Sequence, residues 1–133
     1  MNELPDNALE TARESLKRIP FVQSLGIEIV EISHGEAKIR LQIEEKHHRD
    51  GGFMHGGVTA SMIDTVTAFA VGTIVETFLI DAVTVNLTVN YLRPIFKGEV
   101  IATAKVIRAG KRLLTVSADV FDENGAHAAT ALT

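Results

Sequence analysis

The sequence predicts an α+β fold in which one long, buried helix is wrapped by a curved antiparallel sheet of five to six strands, with a short helix at the N-terminus. Three observations predict it. From Gly56 to about Val75 the apolar residues Val58, Met62, Ile63, Val66, Phe69, Ala70 and Ile74 cover most of a helical circumference, the pattern of a helix buried on several sides. Strand-like segments come as a pair before this helix and a run of four after it, so the βαβ alternation of a parallel sheet is missing. A single helix cannot cover both faces of such a sheet, so the sheet has to curl around it. With 133 residues and a hydrophobic fraction of 46%, the chain has enough material for one core and reads as a single domain, 1–133.

Each element has its own signal. Residues 7–18 place Ala8, Leu9, Ala12, Leu16 and Ile19 at helical spacing, and Pro20 closes that segment, so residues 1–20 form an N-terminal helical stretch. Ile27 to Ile32 reads as a strand and Ser33-His34-Gly35 as a turn. Ala37 to Glu44 then alternates cleanly, with Ala37, Ile39, Leu41 and Ile43 on one face and Lys38, Arg40, Gln42 and Glu44 on the other, a hairpin with one wet face. Glu45 to Met54 is a polar loop, and within the helix that follows Thr59, Ser61, Thr65 and Thr67 are small enough for close packing. Strands are expected over Val83 to Tyr91, Glu99 to Arg108 and Leu113 to Phe121, with a last one from Ala126. Turns are marked by Ala109-Gly110-Lys111 and Glu123-Asn124-Gly125.

Composition narrows the function. The chain has no Cys, which removes disulfides, thiolate zinc sites and a thiol nucleophile. A formal net charge of −4 argues against nucleic acid as a partner. Residues 1–20 carry Glu3, Asp6, Glu10 and Glu14 with no apolar core of a signal peptide, and Val66 to Val75 is shorter than the roughly 20 residues a membrane span needs. A cytoplasmic protein without membrane association is the expectation.

The chemistry concentrates at His55-Gly56-Gly57 and Asp64. Between Gly51 and Val75 Asp64 is the one residue charged at neutral pH, and a carboxylate among apolar side chains is costly unless paired or used. The Gly pair opens the helix, where free N–H groups and the positive end of the dipole favour a developing oxyanion. Gly57 and Asp64 are seven positions apart on one helical face, hence about 10 Å apart along the axis at roughly 1.5 Å per residue. Both cannot reach one carbonyl from a single chain, since each must come within about 3 Å of it. Two antiparallel copies of the helix can share the work, so the sequence predicts a site built across a two-fold dimer.

His-Gly-Gly, six residues and Asp, followed by Thr84-Val85-Asn86-Leu87-Thr88-Val89-Asn90-Tyr91-Leu92-Arg93-Pro94, resembles the hotdog-fold acyl-CoA thioesterases, in particular the phenylacetate-degradation (PaaI-like) type, from about Leu25 to Thr133. The resemblance implies thioester hydrolysis. Gly57 would donate its N–H to the thioester carbonyl, Asp64 would activate water or attack directly, Thr84 would help place the water, and His55 would shape the start of the helix. It implies an acyl-CoA substrate with Gly56, Asn86, Arg93, Lys111 and Arg112 in the binding region, the basic residues meeting coenzyme A phosphates. No cofactor and no metal are implied, coenzyme A being part of the substrate. Many relatives pair dimers, so a homotetramer is the implied assembly. The family usually has Asn where this chain has Arg49, which is expected to donate to the carbonyl or meet a phosphate, or else to mark altered activity.

Each of these residues also has a plain structural reading. Asp64 can be a buried acid in an ion pair, Gly56-Gly57 a close-packing device, His55 a helix cap, and Thr84 an ordinary strand residue. Arg93, Lys111 and Arg112 can be surface charges, and Tyr91 reads as packing. The trio His47, His48 and Asp50 fits no zinc spacing and reads as a solvated loop. Two other functions are weighed: a dehydratase or hydratase of acyl thioesters on the same fold, whose Gly-Pro-rich loop this chain lacks, and a non-catalytic acyl-CoA binding module.

Overall fold

The computed structural model describes residues 3–75 and 82–133. In chain order the elements are α1 (Ala8–Lys17), α2 (Pro20–Leu25), β1 (Glu28–Ser33), β2 (Glu36–Gln42), α3 (Gly56–Gly72), β3 (Thr88–Tyr91), β4 (Glu99–Ala109), β5 (Leu114–Phe121) and β6 (His127–Leu132). The six strands form one antiparallel sheet in the order β1-β2-β4-β5-β6-β3. Irregular register in the β1–β2, β4–β5 and β5–β6 pairs marks bulges, which add local twist and help the sheet to curl.

The alternation read in β2 holds: Ala37, Ile39 and Leu41 are buried while Arg40 and Gln42 face out. Ile39 and Leu41 stand opposite Ala102 and Val100 of β4, so small and large side chains share the inner face. Onto this face packs α3, whose Met62, Ile63, Val66 and Ala70 have no exposed surface. Burying such side chains contributes roughly 1.5–3 kcal/mol each for the larger ones. A buried cluster running from Leu16 to Ala131 joins these elements.

Three boundaries differ from the sequence expectation. Pro20 closes α1 but also opens α2 at its first helical position, where its fixed φ fits and its missing N–H costs nothing. Six residues are too few for a periodic signal, so α2 was invisible in the sequence; Gly26, at φ 82°, ends it. Next, α3 stops at Gly72 rather than about Val75. There Thr73 accepts the Gly35 N–H at 2.7 Å and donates to the Ala70 carbonyl at 2.8 Å, pinning the helix end to the β1–β2 turn.

The third difference concerns the site. The strand expected over Val83–Tyr91 is paired only from Thr88 to Tyr91, at the sheet edge beside β6. Thr88 already faces Leu132, the last residue of β6, so residues 82–87 have no ladder to join. Val83 and Val85 are left 83% and 73% exposed. Among the described residues no helix is long and apolar enough to cross a membrane.

Candidate active site

Along α3 the residues outside the core are Gly56, Gly57, Ala60, Ser61, Asp64, Ala68, Val71 and Gly72, a stripe of small side chains with one carboxylate among them. Asp64 is therefore exposed in the chain, which corrects the expectation of a buried charge. The helix is buried on its other sides, and Asp64 stands where the sheet does not reach. Thr65 and Thr67 spend their hydroxyls inside the helix: Thr65 donates to the Ser61 carbonyl and Thr67 to that of Ile63. Ser61 likewise donates to the Gly57 carbonyl. None of them competes for the carboxylate.

The partner of Asp64 comes from the segment outside the sheet. Thr84 Oγ1 donates to Asp64 Oδ1 at 2.7 Å. The two expected residues, twenty positions apart, thus form one unit, and the purely structural reading of Thr84 as a strand residue falls away, because Thr84 lies in no strand. Asn86 lies two residues on; its carbonyl accepts from Thr133 Oγ1 at 2.6 Å and its side-chain oxygen from Thr88 Oγ1 at 3.1 Å.

At the other end of α3, His55 is the N-cap. Its Nδ1 accepts the Gly57 N–H at 2.8 Å. In this conformation the expected oxyanion donor is already occupied. An accepting Nδ1 carries no proton, so the neutral ring holds its proton on Nε2. Both glycines have steric reasons. A Cβ on Gly57 would lie 2.8 Å from His55 Nδ1, and one on Gly56 would lie 3.3 Å from Tyr91 Cε1. Tyr91, read from the sequence as packing, also donates its hydroxyl to the Gly56 carbonyl at 2.9 Å, clamping β3 to the start of α3. Sequence reasoning missed this role; an aromatic at the end of an edge strand carries no signal of its helix partner.

The loop before α3 is less solvated than expected. His47 is 1% exposed, whereas His48 and Asp50 are exposed. Among the described residues no three His, Cys, Asp or Glu side chains converge as a metal site. Arg49 is exposed and bonds to its own neighbours rather than to Asp64. Its guanidinium pairs with Asp50 Oδ1 at 3.1 Å and lies 4.8 Å from the centre of the Phe53 ring, a cation–π contact.

The remaining basic residues divide. Lys111 and Arg112, in the β4–β5 turn, line a groove of about 540 Å³ with Thr84 and Asn86. Its apolar wall includes Val71, Val83, Leu113 and Val116. Arg93 lies two residues beyond Tyr91, exposed and outside this groove. The structure brings Asp64, Thr84, Asn86, Lys111 and Arg112 to one region of the chain, and His55, Gly56 and Gly57 to the far end of the helix face.

Comparison with known proteins fits this geometry. Residues 51–129 match the model of the thioesterase superfamily. The chain is 28% identical over 122 residues to human acyl-coenzyme A thioesterase 13, covering 90% of this chain and 86% of that protein. It is 30% identical over 103 residues to the 1,4-dihydroxy-2-naphthoyl-CoA hydrolase of Listeria monocytogenes, covering 76% and 81%. A mutant of the phenylacetic acid degradation protein PaaI from Thermus thermophilus superposes with a TM-score of 0.76 at 27% identity, covering 85% and 94%.

Proposed function

Because the chain belongs to the thioesterase superfamily, has its hotdog fold and is itself a thioesterase, we propose that it hydrolyses acyl-coenzyme A thioesters to the free acid and coenzyme A, at a site shared between two chains. The observation that carries this reading is the Asp64–Thr84 pair, a carboxylate with its hydroxyl partner at 2.7 Å on the one open face of an otherwise buried helix.

Two copies of α3 lying antiparallel bring Gly57 of one chain beside Asp64 of the other and cover the small-residue stripe. The thioester carbonyl oxygen takes the Gly57 N–H at the positive helix end, displacing the His55 ring from it. With one Asp64 oxygen held by Thr84, the other accepts a proton from water as that water attacks the carbonyl carbon. The oxyanion collapses, the C–S bond breaks, and the thiolate leaves with the proton that Asp64 held. A thiolate is a good leaving group, so no separate strong acid is required. Direct attack by Asp64, through a mixed anhydride, is the competing route.

The groove supports the choice of thioester. Its aliphatic wall suits the pantetheine arm or an acyl chain, and Lys111 and Arg112 at its rim suit phosphates. Arg93, at the other end, is a candidate phosphate contact across the dimer. The deciding experiment is a thiol-release assay over a panel of aromatic, short-chain and medium-chain acyl-CoA esters. Turnover on at least one is expected. Tight binding of every ester without turnover would make the protein an acyl-CoA binding module.

A further inference from the structure

Among the described residues, the proposed mechanism leaves one buried titratable side chain unused. His47 is 1% exposed and sits at the end of the 3-10 turn Glu45–His47. Both ring nitrogens are committed. Nε2 lies 2.7 Å from the Leu25 carbonyl, and Nδ1 accepts the Glu44 N–H at 2.9 Å. A carbonyl only accepts and a backbone N–H only donates, so the neutral ring protonated on Nε2 satisfies both bonds at once. A ring protonated on Nδ1 would set two donors against each other at the Glu44 N–H.

The backbone of the same residue reaches the active-site helix. The His47 carbonyl accepts the N–H of His55, the N-cap of α3, at 2.8 Å. The intervening segment closes on itself through Arg49 N–H to the Phe53 carbonyl at 2.9 Å and an isolated bridge between His48 and Met54. Met54 is held by the Ile95 carbonyl at 2.8 Å. His47 thus ties the end of α2, the start of the loop and the N-cap of α3 into one rigid corner.

We propose that His47 is a positioning residue for thioester hydrolysis: its neutral, Nε2-protonated ring, anchored on Leu25 and Glu44, sets the placement of His55 and hence of the Gly57 N–H. This inference rests on the thioesterase reading above. The donor matters most when charge develops on the oxygen, so a displaced corner lowers kcat more than it raises KM. The groove proposed for the substrate is lined by Lys111 and Arg112 and not by residues of this corner, so substrate capture is expected to be largely retained.

The test uses three variants and two spectroscopic readouts on the full chain. His47→Leu, which removes both bonds, should lower kcat roughly ten- to a hundredfold, the scale of a misplaced catalytic group, with KM within about twofold. His47→Gln puts an amide N–H near the place of Nε2 and should restore most of kcat. His47→Asn can accept from Glu44 but is too short for Leu25, and should stay low. If His47→Leu does not fold, the Gln and Asn variants decide. Equal kcat for Gln and Asn, or wild-type kcat in folded His47→Leu, overturns the proposal. Independently of turnover, ring 15N shifts at pH 7 should report the neutral Nε2–H form, with slow exchange of the His55 amide that quickens in His47→Leu. A ring protonated on Nδ1 overturns the proposal as well. If the wild-type protein turns over no acyl-CoA ester, the thioesterase reading fails while these two readouts still judge the tether.

Discussion

At the scale of single residues the site turns on Asp64 and its hydroxyl partner. Asp64 is exposed and its carboxylate is bonded to Thr84 alone among the described side chains, so its replacement costs the fold little. Asp64→Asn should shift the melting temperature by no more than about 2 °C while turnover in a thiol-release assay falls by about 10²–10⁴-fold, the usual contribution of a general base. A folded variant with wild-type turnover would remove Asp64 from the mechanism. Thr84→Val deletes one hydrogen bond to a carboxylate that solvent already reaches. The expected loss is about tenfold in kcat, the low end for charged partners because the site is open. Single-turnover hydrolysis in 18O-labelled water tests the two chemical routes. With Asp64 as base, label enters only the released acid; label found in the protein by mass spectrometry requires a mixed anhydride opened by water at the Asp64 carboxyl carbon and makes Asp64 the nucleophile. The first outcome is expected, since Thr84 already holds one carboxylate oxygen. Arg49 is tied to Asp50 and Phe53 rather than presented to the carbonyl. Its nearest test is Arg49→Ala beside Arg49→Asn: unchanged Michaelis parameters in both would leave it a surface charge.

At the scale of elements, the start of α3 is where three segments meet. His55 caps it from within, the His47 carbonyl holds it from the loop, and Tyr91 clamps it from β3. The Tyr91 ring is 55% exposed, so its hydroxyl bond to the Gly56 carbonyl counts as an ordinary, solvent-accessible hydrogen bond. Tyr91→Phe should therefore cost about 1 kcal/mol in urea unfolding, with an unchanged m value. Loss of several kcal/mol would mean that the clamp supports more of the fold than the helix start. On the opposite side of the sheet, β2 lies between β1 and β4 and presents its charged face outward, where Arg40 bonds Glu28 at 2.9 Å across the pair. That contact shares a face with no site residue and is a solvated cross-strand pair of small energetic weight.

At the scale of the whole molecule, the separation of the two ends of α3 is the ground for the proposed dimer, which subunit mixing tests. Asp64→Asn disables one end. Gly57→Pro disables the other, because Pro has no N–H and any Cβ there meets the His55 ring. Each variant alone should be inactive. Mixed in equal amounts and allowed to exchange subunits, about half of the dimers are hybrids with one intact site of two, so about a quarter of wild-type activity should return. Circular dichroism checks that Gly57→Pro folds, as Pro in a first helical turn is tolerated. If both variants fold and exchange yet no activity returns, Asp64 acts on a carbonyl held by its own chain. The exposed Val83 and Val85, beside the stripe that carries Asp64, offer the apolar area a second copy would cover.

By itself the sequence determined the elements whose pattern is local and long. Strict alternation in β2 and a nearly all-round apolar helix in α3 report which faces are buried, because side-chain direction follows from period alone. The same local reading placed Gly57 and Asp64 on one face, and both lie on the face that the sheet leaves open. Only the tertiary structure decided what happens between distant residues. Thr84 meets Asp64 because the chain before β3 runs past the end of β6 and is released from the sheet, a consequence of register that no window of sequence contains. His47 is buried, although its neighbours read as a wet loop, because Leu25 and Glu44 supply the two partners that a buried imidazole needs. The Gly57 N–H is bonded to His55 rather than free because the cap residue folds back on it. Periodicity tells a residue which way to face; register, edges and hydrogen-bond partners, which are set by the rest of the chain, decide what it finds there.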